Sequence, residues 1–204
     1  MGTLPREWFR RYDEADDDRF YDFPRLVTHI DDAAIDAVTQ LYREQFAPNG
    51  ALLDLMSSWV SHLPPEIAYS RVAGLGMNAA ELEANARLSE WRVQNLNREP
   101  RLAYGDREFD GAAICVSVQY LTRPEEVFRD VARVLKPGAP LVVTFSNRCF
   151  PTKAVAAWQA LDDSGHVEQV RRYFEAAGNW GAIEALDRSP RRGDPLYAVI
   201  GRSS

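Results

Sequence analysis

The chain opens into a readable pattern at Asp31 or Asp32, either of which suits a helix cap, after which Ala34, Val38, Leu41 and Tyr42 recur at helical spacing. Pro48, Asn49 and Gly50 end that pattern. Beyond them the texture changes to short apolar runs at 51–55, 71–75, 91–95, 109–118 and 141–145, each of strand length. Residues 64–69 and 79–86 lie between the first runs and read as helices. The strongest helical pattern follows, with Thr122 and Glu125 in capping-box spacing, an apolar face of Val127, Phe128, Val131, Val134 and Leu135, and a stop at Lys136-Pro137-Gly138. Strands that are apolar throughout and alternate with helices predict a parallel sheet covered on both faces, with right-handed crossovers.

The tail departs from that alternation. Helical patterns at 152–161 and 166–177, the second closed by Gly178, precede two short apolar runs at 182–186 and 196–200. The segment between those runs is too short for a helical crossover, so they are expected to pair as an antiparallel hairpin. The expected fold is α/β: a doubly wound, mostly parallel, seven-stranded Rossmann-like sheet with a C-terminal antiparallel hairpin. One domain over 1–204 accounts for the length, with 50–204 as the core and 1–49 as an N-terminal lid and helix. Residues 1–29 mix acids with Trp8, Phe9, Phe20, Tyr21 and Phe23, too aromatic for a free tail, and are expected to lie on the domain.

Charge and cysteine usage narrow the partners. Twenty-four basic residues against 30 acidic give a net charge of −6, which disfavours a non-specific grip on nucleic acid or an anionic membrane. A small-molecule partner is expected. Cys115 and Cys149 lack metal or disulfide spacing, and neither a secretory leader nor a membrane span is legible, so a soluble, cytoplasmic protein without a metal is expected.

Phe109-Asp110 before the fourth strand, Val118-Gln119-Tyr120-Leu121 after it, and the helix ending Arg133-Val134-Leu135-Lys136-Pro137-Gly138 before a fifth strand carry a family likeness. In this order they resemble the small-molecule, type 11-like branch of the class I S-adenosylmethionine-dependent methyltransferases, over roughly residues 50–201. The resemblance implies S-adenosylmethionine as cofactor and a site in the loops after the first four strands. In that family the first strand ends in an acid followed by D-x-G-x-G-x-G. Here Asp54 stands as the acid, while Met56, Ser58 and Val60 replace the glycines. Ser57 and Ser58 offer hydroxyls in compensation; a filled strand-to-helix turn without ligand is the other reading.

The family's ribose-binding acid is replaced after the second strand, where Gly74-Leu75-Gly76-Met77-Asn78 puts Gly76 in its place. Gly76 then leaves room for the ribose, Met77 packs on adenine and Asn78 accepts a hydroxyl proton; alternatively Gly76 makes a turn and Asn78 caps a helix. After the third strand Asn95-Leu96 stand where an aspartate commonly receives the adenine amino group, and Asn95 too reads equally as a cap. Ser117 and Gln119 complete the implied cofactor set.

The methyl group on a sulfonium is already electrophilic, so catalysis requires placement, water exclusion and sometimes a base. His29, Tyr120 and His62 are the candidates to orient or deprotonate a substrate, with His29 and Tyr120 favoured. Tyr21 and Arg148 are candidate substrate contacts, Arg148 reading also as a surface ion pair. His166 reads as a helix-start residue, and nothing places a base beside Cys149. Two functions follow: in-line methyl transfer to a small molecule, or a related domain that has lost catalysis and serves as a binding or scaffold module.

Overall fold

The computed structural model describes residues 4–204, so the first three residues of the expected N-terminal segment lie outside the described chain. Among the described residues seven strands form one sheet: β1 (Ala51–Ser57), β2 (Arg71–Gly76), β3 (Glu90–Val93), β4 (Gly111–Cys115), β5 (Pro140–Phe145), β6 (Trp180–Asp187) and β7 (Tyr197–Ser203). Their spatial order is β3-β2-β1-β4-β5-β7-β6. The first five are parallel, and β7 runs antiparallel to both β5 and β6. The expected sheet and terminal hairpin are therefore present.

Period-two alternation along the strands divides the core in two. Leu52, Val72, Ala113, Val142, Ala198 and Ile200 face α2 (Asp32–Gln45), which lays Ala34, Val38, Leu41 and Tyr42 on them. Leu53, Leu75, Ile114, Leu141 and Val143 face the other way, toward α4 (Pro124–Val134) and α6 (Asp163–Ala177). Both faces of the central strands are dry, which explains their continuous apolar runs.

The local differences have physical causes. Residues 64–69 form no helix; the segment runs as turns tied to the sheet start, with the Asn49 N–H donating to the Ala68 carbonyl. α2 already covers that face, and six residues are too few to hold a helix without a packing surface. The capping box at Thr122 is not made: its N–H donates to Asn97 Oδ1, and α4 begins at Pro124, whose fixed φ suits a first helical position. Of 152–161 only α5 (Ala156–Gln159) is helical. Expected strand 109–118 stops at Cys115, because Val116 turns into the left-handed region at φ 42°. α3 (Ala79–Ala84) and a short α1 (Asp17–Phe20) complete the elements used below.

The β1–β2 register slips between Leu55 and Ser57, leaving Met56 as a bulge at φ 54°. The bulge drives the Ser57 carbonyl into the space that a side chain at residue 76 would need. Gly76 is therefore required by the approach of a neighbouring backbone, and its missing side chain does not open room for a ligand. A Gly76→Ala substitution is expected to cost about 2 kcal/mol or more in urea unfolding. Gly181→Ala is the control, because its Cβ would meet nothing closer than the Arg202 carbonyl at 3.6 Å. Equal unfolding midpoints for the two variants would contradict the assignment.

Candidate functional site

A cleft opens at the carboxyl ends of β1, β2 and β4 and beside the loop after β3, the position where open α/β sheets receive ligands. Its cavity volume is about 130 Å³, and its floor is built from strand-end residues. Asp54 is 7% exposed, and its Oδ2 accepts hydrogen bonds of 2.6 Å from both Ser57 Oγ and Ser61 Oγ. Oδ1 takes no hydrogen bond from the described residues. Burial pushes the Asp54 carboxyl up to about 6, and the two hydroxyls pull against that rise. The residue thus pins the loop after β1 through one oxygen and lines the cleft.

Met56 holds the left-handed conformation at the place where the family pattern has its first glycine. The backbone path survives the substitution, and the thioether lines the cleft. Ser58 turns away from that role: its Oγ donates to Glu81 Oε2 at 2.6 Å. Glu81, in the first turn of α3, is 7% exposed, lines the cleft and has no cationic partner among the described residues. Its other oxygen accepts the Arg25 N–H at 2.7 Å. Ser117 Oγ, buried just past the end of β4, has no hydrogen-bond partner among the described residues.

Residues 10–29 form the opposite wall. The Lys153 side chain is 1% exposed; its Nζ donates to the Ala15 carbonyl at 2.7 Å and lies 3.0 Å from Asp13 Oδ2 and 3.2 Å from Asp17 Oδ1. Asp17 also pairs with Arg11 at 2.7 Å and accepts from Asn97 Nδ2 at 2.9 Å. Charges this deeply buried persist only when paired and hydrogen-bonded, so the network fixes one position for the segment. Further along, Asn95 Nδ2 donates to Asp18, Asn78 Nδ2 to the Tyr21 carbonyl, and Trp59 Nε1 to the Val27 carbonyl at 3.0 Å. Tyr21, Arg25 and His29 are thereby held over the strand ends.

Several sequence expectations are corrected by these contacts. Asn78 caps α3 through its Oδ1 and spends its amide on the segment, so it has no group left for a ribose and does not line the cleft. Asn95 lines the cleft, but its Oδ1 already accepts the N–H groups of Asn97 and Arg98, so it offers no free acceptor to adenine. Gly74 faces Leu88, which fills the space of its missing side chain, and stays out of the site. Gln119 is fully buried behind the cleft, donating to the Val116 carbonyl. Arg148 pairs with Asp194 at 2.8 Å and does not reach the cleft. Met77, Leu96, Ser57, Ser58, Ser117, Tyr21, Tyr120 and His29 do line it.

The proton-transfer candidates are placed together. His29 packs edge-on against Phe150 at 5.2 Å, and both His29 and His62 line the cleft. Burial holds each below the ordinary histidine value; for His29 the Glu81 carboxylate opposes that effect, and for His62 the neighbouring His29 adds to it. Both rings are accordingly neutral near pH 7 and available as proton acceptors. Tyr120 Oη accepts the Phe150 N–H at 2.8 Å, and burial pushes its phenol up to about 12, so it remains a neutral hydroxyl. Cys115 is pushed up to about 11 and Cys149 is raised, both by burial, and neither is a thiolate nucleophile. His166 sits in α6 against the Trp158 carbonyl, away from the cleft.

Sequence reasoning missed Glu81, Arg25, Asp17 and Lys153. Only Lys153 left a signal, as one of two lysines among 24 basic residues. The other three become site residues through contacts that span 50 or more positions.

Residues 56–143 match the family model of a methyltransferase domain. No curated protein matches the chain in sequence. Solved structures resemble it in fold: the [4+2]-cyclase SpnF at 18% identity and TM-score 0.62, with 82% of this chain and 80% of that one covered. A possible histamine N-methyltransferase from Thermotoga maritima matches at 14% identity and TM-score 0.61, covering 84% of this chain and 91% of that one. A Haloferax volcanii complex of the Trm112 methyltransferase activator with a putative methyltransferase matches at 14% identity and TM-score 0.61, covering 84% and 90%. One neighbour is a cyclase, so the fold alone does not fix the reaction.

If the buried lysine pins the wall, Lys153→Gln is expected to release it. Hydrogen exchange should rise at the amides of Asp13 and Tyr21, which are bonded in this docked state, with protection in β4 and β5 retained and a stability loss of about 3 kcal/mol. Unchanged exchange at those two amides would contradict the role given to Lys153.

Proposed function

We propose that this chain, whose residues 56–143 match the methyltransferase-domain family, is a class I S-adenosylmethionine-dependent methyltransferase that binds S-adenosylmethionine in the cleft and transfers its methyl group to a small molecule by in-line displacement. The observation that carries the reading is the Asp54 carboxylate. It is buried in β1, anchored through one oxygen and without a hydrogen bond on the other among the described residues, and it lines the cleft where the cofactor's ammonium group is to be received.

The donor set fits the cofactor at its amino-acid end. Asp54 Oδ1 offers a charged acceptor, and Ser117 Oγ is a buried hydroxyl without a partner among the described residues. At the nucleoside end Glu81 takes over what Gly76 cannot do. It is a buried carboxylate with no cationic partner among the described residues, lining the cleft from the first turn of α3, and it suits the two ribose hydroxyls. Leu96 and Met77 supply apolar walls for the adenine.

Bound there, the cofactor supplies an electrophilic methyl on a sulfonium. The chain supplies the rest. The pinned segment acts as a lid that keeps water from the reacting atoms. Neutral His29 is positioned to take a proton from a substrate hydroxyl or amine as it attacks, and Tyr120 donates its hydroxyl proton to orient the acceptor. Tyr21 packs against the substrate from the lid.

Calorimetric titration with S-adenosylmethionine tests the reading through its pH dependence. The carboxylate is the form that holds an ammonium, and Asp54 gains a proton as pH falls through about 6. Affinity is therefore expected to be constant above neutrality and about tenfold weaker at pH 5. Asp54→Asn should weaken binding at pH 7.5 and flatten the pH profile. No binding, or wild-type affinity in Asp54→Asn at every pH, would refute the assignment.

A further inference from the structure

Arg25 is not used by the cofactor reading. Its Nη2 donates to the Phe20 carbonyl at 2.8 Å, while Nη1 is buried and has no hydrogen-bond partner among the described residues; the residue lines the same cleft. The guanidinium stands over the Phe20 ring at 4.5 Å, with Phe150 at 5.6 Å and Tyr21 at 5.8 Å. The Glu81 carboxylate binds the Arg25 backbone N–H, and no carboxylate pairs with the guanidinium among the described residues. An unpaired cation ringed by three aromatic faces, with one donor aimed at nothing, is a receptor awaiting an acceptor.

We infer that the methyl acceptor is an aromatic carboxylic acid whose carboxylate is received by Arg25. This rests on the methyltransferase reading and names the substrate class for that same site. A carboxylate is the strongest match to an arginine donor and gains from the dry aromatic surround. A single negative charge suits the site better than a dianion, because Glu81 and Asp17 line the same cleft and would repel further charge. Phe150 stacks on Tyr120 at 5.9 Å and takes Phe20 edge-on at 5.4 Å, so the three rings make one continuous apolar wall against which a planar body can lie. His29 lies 5.2 Å from the same Phe150 ring, so a proton acceptor stands beside the bound acid, whose ring hydroxyl or amine is the nucleophile.

The test uses 4-hydroxybenzoate, 4-hydroxycinnamate and indole-3-acetate, each beside its own primary amide, titrated into the full chain by calorimetry with and without S-adenosylhomocysteine. At least one acid is expected to bind about tenfold more tightly than its amide. Arg25→Gln should bring the two within about twofold, and Arg25→Lys should retain part of the preference. A purely structural Arg25 would alter both members of a pair alike and leave their ratio unchanged. Binding of none of the acids, equal binding of acid and amide, or a ratio that survives Arg25→Gln would overturn the inference. S-adenosylhomocysteine affinity is read in the same titrations, so a failed cofactor reading shows as absent nucleoside binding, independently of the acid-to-amide ratio.

Discussion

A single buried lysine sets the shape of the cleft. Lys153 has no route to water, so its charge must be met inside the protein, and the groups that meet it come from residues 13–20. That requirement brings a polar, acidic segment onto the carboxyl edge of an otherwise ordinary α/β sheet. Everything past the anchor follows from it: Asp18 reaches Asn95, Tyr21 and Asp22 reach Asn78, and Arg25 reaches Glu81. The sheet alone would present a shallow edge with spare amides; with the segment docked, those amides are consumed and a walled cavity remains.

The consumption of Asn78 and Asn95 changes what the site can recognise. Both are amides whose donors and acceptors were free on paper, and both are spent on holding the wall. Recognition passes to groups that are charged, buried and incompletely partnered: Asp54, Glu81 and Arg25. Such groups cost free energy to bury, and the cost is offset when a ligand completes them.

The sheet was legible because the strands are apolar on both faces and the helices α2, α4 and α6 keep a clear period. The hairpin was legible from linker length alone. The apolar pattern at 64–69 is too short to hold a helix on its own, and the segment is non-helical. Within the site, Asp54, Met56, Ser117, Tyr120 and His29 were legible because they sit at strand ends or in the segment expected to cover them. Met56, which replaces the family's first glycine, keeps the left-handed turn of a glycine, since a bulge constrained by the β1–β2 register holds an unbranched side chain in that conformation. Glu81 and Arg25 were illegible because each gains its meaning from a partner more than 50 positions away.

The account's central claim is that a cleft lacking the glycine loop still receives a sulfonium nucleoside, and a crystal structure grown with S-adenosylhomocysteine tests it most directly. The account predicts the ligand's amine on Asp54 Oδ1, its ribose hydroxyls on Glu81 and the 10–29 segment closed above it. Continuous solvent in the cleft, or the ligand bound elsewhere with Met56 filling the strand ends, would contradict it.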